Sequence, residues 1–243
     1  MLPLADLLMI GGAAFFAALV GGVTGYGTGL LLPPVLVPLI WAEAVVPVIG
    51  LSALFTNASR VAANRPDLDP ELLRRIAPVA LPATLLGAYG FTLLSGRGAA
   101  MLIGVMLILM VPLRTLARRR GLVLSGRGLT AASAGYGVVN GGTSGSGVLL
   151  LTLLMAAGLT GPQVIATDAA ISFLLGLGKS AMFAARGALD LRLAGLALVI
   201  GLTAIPATFL AKRLSYRLPG HWHLRVLDGA VLLGGLLLIF RAG

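Results

Sequence analysis

Two ionisable groups stand in an otherwise apolar run, "ATDAAISFLLGLGKSAMF", Ala166 to Phe183. Asp168, Ser172, Leu175 and Lys179 recur at i, i+4, i+7 and i+11. A helix puts such residues on one face, with about 16 Å between the first and last Cα atoms. In a bilayer this stripe is expensive: a Lys at the centre of a spanning helix costs about 2.5–3.5 kcal/mol and is retained for pairing or function. Lys179 is therefore a candidate for holding negative charge and Asp168 for coupling to protons. The competing expectation is that Lys179 snorkels to the interface near Arg186, and that Asp168, close to the start of its run, sits among headgroups.

Two glycine-rich stretches supply different chemistry. "GGVTGYGTGLLL", Gly21 to Leu32, contains Gly25, Tyr26, Gly27, Thr28 and Gly29; "VVNGGTSGSG", Val138 to Gly147, contains Asn140, Thr143, Ser144, Gly145, Ser146 and Gly147. In register, Gly27 pairs with Gly145, Thr28 with Ser146 and Gly29 with Gly147. Glycine, serine and threonine interrupt a helix and free backbone N–H and C=O groups, tolerable at membrane depth only when buried in protein or lining a wet cavity. Small residues also let helices pack closely, and that expectation competes at every glycine. Two breaks in register, carrying hydroxyls and an amide, point instead to a binding site. Asn57, Ser59 and Arg60 recur near the end of a first-half run as Lys179 does in the second, although an Arg near a loop also serves as a topology determinant. Free N–H groups at a broken helix, with a nearby Lys or Arg, suit an anion. A cation path needs carboxylates or carbonyl rings, and intramembrane acids are scarce. Asn57, Arg60, Ser172 and Lys179 join the residues of the two breaks as candidate anion ligands.

The elements that must position these residues follow from composition. The 243 residues are 58% hydrophobic and 11% charged, with a mean hydropathy of +1.01, values of a membrane protein. Uninterrupted apolar runs at 4–23, 45–63, 76–94, 99–116, 163–185, 193–211 and 226–240 approach the length a helix needs to cross the hydrocarbon core. They do not alternate as barrel strands do. The expectation is an all-α, polytopic bundle of about eight helical segments. The first run has no preceding Lys or Arg and reads as a retained helix. A net charge of +10 sits in short loops, where cytoplasmic retention selects for it, so no nucleic-acid partner is expected. The absence of cysteine removes disulfides and thiolate metal sites, and no cofactor or metal is expected.

The chain reads as a duplication. "LPATLL" from Leu81 matches "IPATFL" from Ile205, in the same order as the matched glycines. A first membrane repeat is expected at 1–117, a basic linker at 118–128 and a second repeat at 129–243, each repeat opening with a Gly-broken helix or a re-entrant hairpin. If each break lies within one crossing, the halves run parallel and the termini share a side. If each break turns a hairpin, the halves are inverted and the termini lie outside. The positive-inside rule gives both nearly the same basic asymmetry.

The remaining residues are structural expectations. Asp67, Asp69 and Glu71 flank Pro70 as a helix start, Asp190 begins another, and Thr160-Gly-Pro-Gln163 resembles a capping box. His221 and His223, at i, i+2 beside Trp222 and without acidic companions, read as an interfacial loop. "ARRR", Ala117 to Arg120, reads as a cytoplasmic anchor against anionic lipid.

V-T-G-Y-G within the first break is close to a potassium-channel filter, but such a filter needs four copies around an axis, and the second break lacks the sequence. No His, Cys or carboxylate cluster has catalytic spacing, so no enzyme is expected. The duplicated glycine entries, each followed by a basic loop ending in an acid and then an "LPAT" or "IPAT" span, resemble the TauE/SafE sulfite exporter family, also called the toluene-sulfonate uptake permease family. The likeness covers about residues 9–240. It implies a secondary carrier in the bacterial inner membrane, a multi-pass protein moving sulfur-containing anions such as sulfite, sulfonates or sulfoacetate, and it leaves room for a homo-oligomer. The family's G-I-G-G-G-like entries are altered here by Tyr26 and Thr28, and by Ser144 and Ser146, which leaves other anions, such as carboxylates, as the alternative and an ion channel as a more distant one.

Overall fold

The computed structural model describes residues 3–24, 28–119, 123–215, and 232, 235, 236, 239 and 240. Among the described residues all regular structure is helical: α1 (Leu4–Thr24), two short turns α2 (Thr28–Leu31) and α3 (Pro33–Leu36), α4 (Ala42–Asn64), α5 (Pro70–Phe91), α6 (Gly96–Arg119), α7 (Gly126–Gly142), α8 (Gly147–Ala156), α9 (Pro162–Ala185) and α10 (Leu191–Ser215). Helices α1, α4, α9 and α10 are long and apolar enough to cross a membrane. This is a polytopic helical membrane protein.

The starts of several helices are written in the sequence. Asp69 caps α5, its Oδ1 accepting the Leu72 N–H at 2.9 Å, and Pro70 takes the first helical position. Asp190 does the same for α10 through the Leu193 N–H at 2.8 Å. This satisfies donors that the first turn of a helix leaves free. The expected capping box at Thr160 does not form. Helix α9 begins at Pro162, its N-cap is Gly161 at φ +54°, and no side chain caps it. A positive φ suits Gly there, and the proline ring presets the first turn without needing a partner for an N–H.

Both breaks turn back. The Leu124 N–H, just before α7, donates to the Ala156 carbonyl at the end of α8 at 2.7 Å, so the α7–α8 pair enters and leaves on one side. Helix α1 runs parallel to α10, with Gly11 against Thr203 and Ala18 against Ala204 and Ala207. Helix α4 ends at the level where α9 starts, since the Asp69 N–H beyond it donates to Thr167 Oγ1 at 3.0 Å, so α4 starts at the opposite level, where α10 and α1 start. The two breaks therefore turn back from opposite ends of the bundle. Sequence alone left this open because loop charge scores both arrangements alike.

Packing is reciprocal. Helix α7 lies along α5 and α1 along α10, while α4 and α9 cross at the centre. Close approach needs small residues on both partners. A Cβ on Gly137 would stand 2.7 Å from that of Ala83, and one on Gly141 2.6 Å from the Ala88 nitrogen. At Gly137 and Gly141 the packing role of glycine applies.

Candidate functional site

The tips of the two hairpins meet. A Cβ on Gly29 would fall 2.6 Å from the Gly145 Cα, and Gly145 itself adopts φ +82°. Only glycine fits both demands, since a side chain at Gly29 would strike backbone and one at Gly145 would be strained. This explains the glycines at these two positions without appeal to a ligand. What the contact creates is a cavity of about 130 Å³ beside the tips.

All the described candidate ligands line that cavity: Thr28, Gly29, Asn57, Arg60, Asn140, Thr143, Ser144, Gly145, Ser146, Gly147, Asp168, Ser172 and Lys179. Gly25, Tyr26 and Gly27 lie outside the described residues, as do His221 and His223. Four elements converge: α4 brings Asn57 and Arg60, α7 brings Asn140, the turn before α8 brings Thr143 to Ser146, and α9 brings Asp168, Ser172 and Lys179. The helical stripe along α9 is thus turned inward, with Leu175 between its polar members in the apolar core.

Lys179 does not snorkel. It is 5% exposed, and its Nζ donates to the Asn140 and Thr143 carbonyls, each at 2.6 Å. These are carbonyls at the C-terminal end of α7, where acceptors go unpaired and the helix dipole is negative. Lysine was expected near freed N–H groups. It sits instead on the opposite pole of the break and neutralises what would repel an anion. An ammonium has three donors, and the carbonyls use two. Helix α8 then starts at Gly147 with no side-chain cap on its first N–H groups, presenting its positive end to the same cavity. Ser146 donates through Oγ to Asn140 Oδ1 at 2.9 Å, tying the two ends of the break.

Asp168 is not among headgroups either. It is 1% exposed, and its Oδ2 lies 2.8 Å from Arg60 Nη2 across the α4–α9 interface. Arg60 also donates from Nη1 to Asn57 Oδ1 at 3.3 Å. The pair is buried, so its attraction is screened little, but each charge has also lost its water. Arg60 is therefore a working part of the interior as well as a basic group near a loop.

Sequence reasoning missed Tyr136, Thr56 and Thr208, all of which line the cavity. Tyr136 precedes Asn140 by four residues on α7 and Thr56 precedes Arg60 by four on α4, so helical spacing already put each on the face of a chosen ligand. Thr208 belongs to the "IPAT" anchor. Ser144 Oγ and Asp168 Oδ1 are both buried and have no hydrogen-bond partner, although buried polar atoms normally have one.

No significant match is found among curated proteins or among solved structures. The family model for the sulfite exporter TauE/SafE matches residues 10–238, nearly the whole chain. The chain belongs to the sulfite exporter TauE/SafE family, a family of membrane transporters.

Proposed function

We propose that the protein is a secondary transporter of small sulfur-containing anions, sulfite or a short sulfonate, bound in the cavity between the two hairpin tips. The observation that carries this reading is Lys179 on the carbonyl pole of the second break beside the open N-terminus of α8. That arrangement cancels the negative end of α7 and leaves the positive end of α8 facing the cavity. The charges lining the cavity, Lys179 and Arg60 against Asp168, leave one net positive charge. The cavity is small, about 130 Å³, which suits a compact oxyanion.

The reciprocal packing of α1 on α10 and α7 on α5 supports reading the chain as two repeats, 1–117 and 129–243, around the linker 118–128. In that reading the crossed hairpins supply alternating access, each repeat rocking against the other about the fixed site. The face bearing Arg65, Arg74, Arg75 and Arg127 is assigned to the cytoplasm of a bacterial inner membrane by the positive-inside rule. Ser146 lies at the start of α8 and lines the cavity, so Ser146→Leu fills the anion's place. The expected outcome is loss of sulfite or short-sulfonate flux in proteoliposomes, with the protein still eluting as a folded species. Wild-type flux in that variant would place the substrate elsewhere.

A further inference from the structure

We propose that the cavity selects an anion that itself carries a hydrogen-bond donor, and that Asp168 is the specificity-determining residue that recognises it. This rests on the anion-transport reading and adds to it the form of the substrate. Asp168 Oδ2 is committed to Arg60, whereas Oδ1 is fully buried, has no partner, and belongs to a residue lining the cavity. An ion-paired carboxylate is an acceptor only. Nothing that accepts and cannot donate satisfies it, so a fully deprotonated oxyanion brings one more lone pair to a place that already has too many. A ligand with an O–H or N–H fills the gap.

The groups that line the cavity together with Asp168 agree. Helix α4 presents Arg60 and Asn57, α7 presents Tyr136 and Asn140, the turn before α8 presents Ser144 and Ser146, and α9 presents Ser172 and Lys179. Among them the buried Ser144 Oγ also lacks a partner, and the Tyr136 hydroxyl lies beside Ser146 and Ser172; each can donate to an oxyanion. The cavity therefore offers donors for several ligand oxygens and one acceptor for a ligand proton. With one net positive charge from Lys179, Arg60 and Asp168, it matches a monoanion such as hydrogensulfite or a hydroxylated sulfonate. A proton gradient then acts through the substrate: the proton travels on the anion, and Asp168 makes its presence a condition of binding.

The test is equilibrium binding by calorimetry on the purified full-length protein, with two pairs of monoanions. Hydrogensulfite is compared with methanesulfonate, in which a methyl group takes the place of the ionisable hydrogen, and isethionate with ethanesulfonate, which lacks its hydroxyl. The first pair reports a donor on the oxyanion centre and the second a donor on its tail. The expected result is a preference of about tenfold or more for the donor-bearing member of at least one pair, the cost of leaving one buried acceptor unpaired. Affinity for total sulfite should fall as pH rises through its second ionisation. Asp168→Asn, which keeps the shape and offers an N–H in place of an acceptor, should remove both the preference and the pH dependence. Equal affinities within both pairs in the wild-type protein, or a preference that survives Asp168→Asn, overturn the inference and leave the anion site standing. Failure of all four anions to bind overturns the anion site as well.

Discussion

Replacing Lys179 by Gln separates two roles that the structure gives to one side chain. The ammonium makes two 2.6 Å bonds to the Asn140 and Thr143 carbonyls, and it supplies the charge that leaves the cavity positive. A Gln amide can donate to carbonyls but carries no charge. Hydrogen bonds to a charged group contribute about 1.5–3 kcal/mol each, so losing both outright costs about 3–6 kcal/mol. Removing a buried Lys returns about 2.5–3.5 kcal/mol of desolvation. The net cost to the fold is then no more than about 3.5 kcal/mol, and less for Gln, which keeps a donor. Binding is affected differently. Taken at a separation of about 7 Å and an effective dielectric near 20, a unit charge is worth about 2.4 kcal/mol, or roughly fifty-fold in affinity. Lys179→Gln should therefore melt no more than about 10 °C below wild type and lose sulfite flux in proteoliposomes almost completely. Melting is best followed by tryptophan fluorescence or size-exclusion after heating, because the chain has no cysteine for thiol-reactive dyes. A folded Lys179→Gln protein with wild-type flux and affinity would refute the argument that this charge sets the cavity for an anion.

Two further outcomes follow from the geometry. Arg60→Met should destabilise the protein by about 3–5 kcal/mol by leaving Asp168 buried and unpaired, whereas Arg60→Met with Asp168→Leu should recover most of that loss. Additive losses in that double-mutant cycle of melting measurements would show that the 2.8 Å pair is not coupled. Single cysteines at Ser125 and Thr160, exposed at the two ends of the second hairpin, should react with an impermeant thiol reagent from the same side of the membrane, and a cysteine at Ser95 from the other. Labelling of Ser125 and Thr160 from opposite sides would rule out the hairpin.

The helices themselves were legible in the sequence, because apolar run length in a bilayer is a local quantity. Run 45–63 became α4 and run 163–185 became α9, with small shifts at the ends. Helix α5 starts six residues before its apolar run because Asp69 and Pro70 set its origin, and capping acts ahead of hydropathy. The capping reading failed at Thr160, where a glycine and a proline of suitable backbone geometry made a side-chain cap unnecessary.

The sequence by itself determined which residue types had to be hidden. Asp168, Ser172 and Lys179 share a helical face by spacing alone, and two glycine breaks in register had to be buried, since a bilayer offers their freed backbone groups no partner. The tertiary structure decided where each hidden charge was directed. Lys179 meets the carbonyl end of α7, thirty-six residues and more away along the chain, and Asp168 meets Arg60 on α4. It also decided that the second break is a hairpin, through a single bond from Leu124 to Ala156, and that α1 lies along α10. Helical spacing fixes only the direction of a side chain around its own axis. The partner across the interface is set by how helices from distant parts of the chain pack, and no local pattern records that.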